Sequence, residues 1–422
     1  MSLLGLSLAY LRMRLLGTCL NLLLLALGVG MIVLLLLFSA KLEERLTRDA
    51  SGLDLVIGAK GSPLQLILSS IYHLDIPTGN IPFSEVQRWR SHDLVETVIP
   101  LALGDSLGGF RIVGTEPAYA GHYGASLSEG RFWDAPFEAV LGSDVAERTN
   151  LGIGDRFFGN HGLAPGGPAH SDHPYEVVGL LIPSASVLDR LVLTDVDSVW
   201  AAHGIEVAKR HDESKIEPGG DADQQQEPYA RAVAPQPVDD RQAVTALLLS
   251  YRTPLAAVQL PPLVNQTKGL QAAAPALEMA RLLSMIGIGV DAIRGFSLLL
   301  MATAGLSLFI GLTNALQARR YDLAVMRTMG ASPSILFVQL LLEGMLLAGG
   351  GVVLGLLLGH GAASLLAASF TSIETLGLSG FAWVAEEAYV VALALAVGLV
   401  AALIPAIQAY RTDIAAVLAS GR

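Results

Sequence analysis

A single cysteine, Cys19, stands in a chain of 422 residues. No disulfide can close within it, so any large folded part must rest on its apolar core alone. Charge is scarce, at 15% of residues, and the basic share is the smaller: 27 Lys and Arg against 38 Asp and Glu, a formal net charge of −11. A phosphate backbone needs a basic face, so nucleic acid is excluded as a partner. No phosphate-cradling loop is present. Gly58-Ala59-Lys60-Gly61-Ser62 has the letters in the wrong spacing and reads as a tight turn. Gly-x-Ser-x-Gly and H-E-x-x-H patterns are also missing, which removes the common serine-nucleophile and zinc-peptidase readings. Internal repeats and low-complexity tracts are absent as well. The chain is therefore expected not to be an enzyme, with any ATP hydrolysis carried by a partner subunit.

What is abundant is apolar sequence, 52% of the chain with a mean hydropathy of +0.52. Charge is partitioned: from Lys41 to Asp291 there are 32 acidic and 19 basic residues, whereas the remainder is mildly basic. That combination predicts an integral membrane protein with a sizeable soluble part. Apolar runs at Thr18–Ala40, Phe296–Leu316, Ile335–Ala368 and Tyr389–Ala406 are long enough to cross a hydrocarbon core of about 30 Å. Residues 2–16, with Arg12 and Arg14 near their end, suit a helix lying on the cytoplasmic surface. Arg12, Arg14, Arg319, Arg320, Arg327, Arg411 and Arg422 flank the runs so that both termini are expected inside. Leu16-Gly17-Thr18-Cys19 has a loose likeness to a lipoprotein cleavage box. The apolar run continues past it to Phe38, so the segment is expected to stay as an anchor.

The fold class read from this pattern is an α-helical membrane protein with four transmembrane helices and a large α+β extracytoplasmic domain between helices 1 and 2. Residues 1–40 would hold the surface helix and first span, 41–290 the outer domain, and 291–422 the remaining spans. In the domain, strands are expected at Asp54–Ile57, Val95–Leu103, Phe110–Gly114, Glu138–Leu141, Tyr175–Ile182, Leu191–Thr194 and Thr245–Tyr251. Helices are expected at Phe83–Ser91 and Asp195–Ala202, with a helical stalk from about Ala274 into the second span. Glu213–Asp240, rich in Gln, Pro, Asp and Gly, is expected to be a mobile excursion. A short outer loop would hold Glu374, Glu386 and Glu387.

The richest stretch lies between the second and third runs: Arg319-Arg320-Tyr321-Asp322-Leu323-Ala324-Val325-Met326-Arg327-Thr328-Met329-Gly330-Ala331-Ser332. Gly330 can take a left-handed cap, and Ser332 can N-cap a new helix with Pro333 at its first position. The loop thus predicts one short helix at the inner surface. Its arginines have a plain topological reading, as snorkelling interfacial cations. Together with Asp322 and the stop signal they also read as a protein-docking element.

These residues, followed by Gln339 and Leu342-Glu343-Gly344, are similar to the R-x-x-E-I-G-x-x-x-A-x-G-A coupling motif of the MacB, LolC/LolE and FtsX group of ABC transporter permeases, the mechanotransmitters. Asp322 stands where Glu is common and Ala324 where Gly is common. Ile404-Pro405-Ala406-Ile407-Gln408-Ala409-Tyr410-Arg411-Thr412-Asp413 resembles the family's closing segment, with Ile414 where proline often stands. Asp54-Leu55-Val56-Ile57-Gly58-Ala59-Lys60-Gly61-Ser62-Pro63 and Ser69-Ser70-Ile71-Tyr72-His73 mark a distinct subfamily. The resemblance implies a bacterial inner-membrane permease with a MacB-like periplasmic domain. It implies a cytoplasmic ABC ATPase docked at Arg319, Arg320, Asp322, Arg327, Gly330 and Ala331, and a second permease copy, identical or paralogous. ATP and Mg would belong to that partner, and a periplasmic adaptor or lipoprotein would be handled outside. A signalling scaffold that controls a periplasmic hydrolase is the alternative within the same family.

Other residues carry open readings. Glu343 is costly in lipid and should face a helix interface or the headgroups, as anchor or as transmitter. Gly351 and Gly355, with neighbouring glycines, allow close helix approach and serve packing or a dimer seam. His161, His170, Asp172 and His173 share one Gly/Pro-rich loop, with His203 and His211 downstream. They read either as solvated loop residues or as zinc ligands, which would make metal handling a third function.

Overall fold

The computed structural model describes residues 3–162, 173–205, 242–369 and 378–411. The expected excursion at 213–240, Glu374, His170, Asp172, His211 and the closing segment beyond Arg411 lie outside the described residues. The chain divides into two compact units, Met1–Glu44 with Leu283–Arg422, and Arg45–Leu282.

In the first unit, α1 (Leu3–Met13) precedes α2 (Leu15–Ala50), and α9 (Pro275–Ala318), α10 (Arg320–Thr328), α11 (Pro333–Ser369) and α12 (Glu387–Tyr410) follow much later in the chain. Four of these, α2, α9, α11 and α12, are long and apolar enough to cross a membrane. At 1.5 Å per residue α9 extends about 66 Å, twice what the hydrocarbon core requires. Small residues set the packing. A Cβ added to Gly344 would fall 2.4 Å from that of Ala402, and one on Gly398 would fall 2.3 Å from that of Ala348, so α11 and α12 approach closely along this seam. Gly351, Gly355 and Gly359 turn to α2, where added Cβ atoms would meet Leu25, Val29 and Val33 at 2.6, 2.6 and 2.8 Å. These glycines are thus occupied by packing within the chain.

The second unit is α+β. In chain order it holds β1 (Leu55–Ala59), α3 (Pro63–Ser70), β2 (Ile81–Pro82), α4 (Ser84–Arg90), β3 (Val95–Leu107), β4 (Phe110–Thr115), α5 (Pro117–His122), β5 (Leu127–Gly130) and β6 (Glu138–Leu141). There follow α6 (Ser143–Thr149), β7 (Arg156–Phe157), β8 (Asn160–His161), β9 (Tyr175–Leu181), β10 (Leu191–Asp195), α7 (Val196–Ala202), β11 (Ala243–Val244), β12 (Ala246–Tyr251), α8 (Ala256–Gln266) and β13 (Leu270–Ala273). The main sheet runs β13-β1-β12-β3-β4-β10-β6-β9-β5, with β7 added on β9 and β8 on β3. Its pairing is mixed: β10 is parallel to β4 and β6 to β9, and the rest is antiparallel.

Leu247, Leu248 and Leu249 of β12 are fully buried, as expected of a central strand covered on both faces. Val86 and Trp89 of α4, Val199 and Trp200 of α7, and Leu260 and Val264 of α8 close one core over the sheet. α3 begins with Ser62 accepting from the Gln65 N–H and Pro63 in the first turn. The apolar spacing of α3 and α8 went unread in the sequence because both are short and α8 contains Pro261 and Pro262.

Candidate functional site

The segment expected to dock a partner forms α10 as one nine-residue helix. Its termination is chemical: Gly330 has φ of 101°, the Ala331 N–H donates to the Met326 carbonyl at 3.0 Å, and the Gly330 N–H donates to that of Arg327 at 3.1 Å. That double bond pattern around a positive-φ glycine is the Schellman motif, and it satisfies carbonyls the helix end would orphan. Leu323 is buried in a cluster with Leu308, Leu312, Leu336 and Leu340 from α9 and α11, and Ala324 is buried beside it in the chain. Arg320 and Thr328, the first and last residues of the helix, are exposed, Arg327 is half-buried, and Met329 is 83% exposed. Ala331 is half-buried, and the side chain of Asp322 lies outside what is described.

Arg319 behaves differently from its neighbours. Its two terminal nitrogens each lie 3.3 Å from a carboxylate oxygen of Glu343, and its guanidinium sits 3.6 Å from the ring centroid of Tyr10 on α1. The side chains are 11% and 3% exposed, so the pair is buried. Three helices meet there through one fork–fork ion pair and one cation–π contact. A cavity of about 130 Å³ beside it is lined by Tyr10, Thr18, Asn21, Asn314 and Glu343. Ser307 donates to Asn21 at 2.6 Å across the same region.

The histidines separate. Of the expected ligands, His170 and Asp172 lie outside the described residues, and His173 stacks on Phe137, with ring centroids 5.0 Å apart and planes 10° from parallel. His161 instead meets His203, centroids 5.2 Å apart, beside the buried carboxylate of Asp105. Burial and then the charge of Asp105 push the Tyr175 hydroxyl above its ordinary value.

In the second unit the hydroxyl of Tyr72 lies 2.8 Å from the Leu46 carbonyl of α2 and 2.8 Å from the Met279 sulfur of α9. One phenol thereby touches the ends of both long helices. Asp49 of α2 accepts from the Val187 N–H at 3.1 Å, and Tyr123 donates to the Asp49 carbonyl at 2.9 Å.

The MacB-like periplasmic core domain family matches residues 18–249, more than half of the chain, and the FtsX-like permease C-terminal family matches residues 294–414. The chain belongs to the MacB/FtsX-like family of ABC transporter permeases. Among solved structures, the periplasmic region of MacB from Actinobacillus actinomycetemcomitans matches 55% of this chain and 95% of its own, at 12% identity and a TM-score of 0.33. The extracellular domain of the noncanonic ABC-type transporter YknZ from Gram-positive bacteria matches 52% of this chain and 98% of its own, at 10% identity and a TM-score of 0.30. No curated protein matches. The permease is thus a membrane protein with four candidate spans and a MacB-like periplasmic α+β domain.

Several residues of this permease escaped the sequence reading. Tyr10 lay in an apolar run with nothing to mark it as the lid on Arg319. Asp105 follows an apolar strand and precedes Gly108-Gly109, with nothing in the sequence to single it out. Glu387, expected in an outer loop, is instead the first residue of α12 and fully buried. It accepts from Val384 N–H at 3.2 Å and lies 3.1 Å from Nε2 of His360, whose ring stacks on Trp383. A carboxylate at a helix start finds backbone donors there, and this one also finds a histidine on α11.

Proposed function

We propose that this chain is the permease subunit through which a separate cytoplasmic ABC ATPase drives a periplasmic domain mechanically, with no ATP site of its own. The observation that carries the reading is the construction of α10. Leu323 and Ala324 seat it in the membrane unit, a Schellman turn ends it, and Arg320 and Met329 stand exposed beside the half-buried Arg327. An exposed arginine at one end of α10 and an exposed methionine at the other suit a protein partner with acidic and apolar surface. Both termini and α10 would be cytoplasmic, in keeping with arginines at 12, 14, 319, 320 and 327.

The permease would act as a dimer, with itself or a paralogue, one ATPase under each copy. Closure of the ATPases would displace α10, and α2 and α9, which contribute residues to both units, would carry the movement onward. Tyr72 supports this reading because it holds the periplasmic ends of both helices at one hydroxyl. The cargo would be a periplasmic or lipoprotein-type molecule that need not pass through the membrane unit.

The test is ATP hydrolysis by the cognate ATPase in nanodiscs containing this chain. Arg327→Glu inverts the docking charge, and Gly330→Pro forces a φ near −65° where 101° is required. Each should abolish stimulation while membrane insertion persists; unchanged stimulation in both variants would sink the proposal.

A further inference from the structure

Asp105 sits where the β3–β4 register shifts between Leu103 and Ser106, and it pairs across the β3–β8 ladder with His161. A bulge re-aims side chains, and directly paired residues project to the same face. His203 arrives from the end of α7. Nδ1 of His161 lies 3.4 Å and Nε2 of His203 lies 3.9 Å from the same carboxylate oxygen, and the three ligand atoms are all within 4.8 Å of one another.

Direct N–H···O hydrogen bonds run shorter, at about 2.7–3.2 Å. The observed spacing is nearer the edge of a zinc tetrahedron, which bond lengths of 2.0–2.1 Å set at about 3.3 Å. The tautomer of His203 agrees. Its Nδ1 lies 2.7 Å from the Val199 carbonyl, which can only accept, so Nδ1 carries the hydrogen. In the neutral ring Nε2 then holds its lone pair towards Asp105. Orientation of a ligating imidazole by a backbone carbonyl is a recurrent second contact at metal sites.

The carboxylate forms the floor, 1% exposed, and the imidazoles, 44% and 34% exposed, form the mouth. A dication would neutralise the buried carboxylate. Two nitrogens and one oxygen are a borderline donor set that favours zinc and its neighbours over calcium or magnesium. We infer that Asp105, His161 and His203 contribute three ligands to a site for Zn²⁺ or a similar divalent transition-metal ion. The ion would fasten β3, β8 and α7 together. The site stands independently of the coupling proposal, since none of its residues belongs to α10.

The test uses the full chain in nanodiscs, stripped with a chelator and without any ATPase. Calorimetric titration with Zn²⁺ alone should give one ion per chain at micromolar affinity or better. His161→Gln and His203→Gln should each raise Kd by more than about 100-fold, beyond the usual cost of losing a second-shell contact. His173→Gln should leave Kd unchanged. Zn²⁺ should also raise the thermal midpoint of the wild type and leave that of His161→Gln where it was. His161 is the more exposed ligand, so its variant remains informative if His203→Gln fails to fold. Absence of stoichiometric binding by the wild type, or one-to-one binding retained in His161→Gln, overturns the site. Neither result bears on ATPase stimulation, which is read separately through Arg327→Glu.

Discussion

Arg319 and Glu343 face each other through both terminal guanidinium nitrogens and both carboxylate oxygens at 3.3 Å, 24 residues apart in sequence. Removing one partner strands the other as a buried charge, which costs about 3–5 kcal/mol. Arg319→Ala and Glu343→Ala should each lower the thermal midpoint of the detergent-purified permease markedly. The double variant Arg319→Met with Glu343→Leu should recover much of the loss while ATPase stimulation stays low. Destabilisation in the double variant equal to the sum of the two single losses would show that the pair is not coupled.

The glycine seam makes a positional prediction. Gly355→Leu must displace Val29, whose Cβ lies 2.6 Å from the position of an added Cβ, whereas Gly349 has nothing within 4 Å. Overpacking of this kind costs about 1–3 kcal/mol. Thermal unfolding should separate the two: Gly355→Leu falls by several degrees, and Gly349→Ala stays at the wild-type midpoint.

Tyr72→Phe retains the ring and deletes only the hydroxyl shared by Leu46 and Met279. Loss of one buried hydrogen bond costs about 1 kcal/mol. Stability should fall by that modest amount. Transport-coupled turnover should fall further than stability does, because the variant frees the two helices from a common contact. A variant with full coupled turnover would remove Tyr72 from the transmission path.

His73 supplies the pH dependence. It is buried, with Nε2 2.9 Å from the Tyr119 hydroxyl. Burial first, then the positive charges of Arg111 and Arg190, hold its imidazole well below the ordinary value. The unfolded chain takes up a proton below about 6.5 and the folded chain does not. Stability is therefore complete above that pH and declines as pH falls towards the lowered native value, by at most about 1.4 kcal/mol per unit from this group. Urea unfolding at pH 7.5 and 5.0 should show a wild-type decline that is smaller in His73→Asn; parallel declines would dismiss His73 as a source.

Much of the architecture was legible because it follows local rules. Twenty apolar residues make a span wherever they occur, and alternation at Tyr175–Leu181 produces the observed buried–half-buried rhythm. The end of α10 was legible because a glycine, a serine and a proline in sequence carry their own backbone geometry. Glu387 was misplaced because charge was equated with exposure.

The candidate sites were less legible for a different reason. His173 and His161 are close in sequence, yet one stacks on Phe137 and the other meets Asp105 and His203. Sequence alone determined the apolar spans, the short helix between the second and third of them and the α+β character of the outer domain, because periodicity and turn chemistry act over a few residues. Tertiary structure alone decided that Tyr10 lies over Arg319, that Gly355 packs on Val29, and that Asp105 joins two histidines. Those meetings depend on strand register, a bulge and helix rotation, and such long-range geometry is set by the packing of the whole unit.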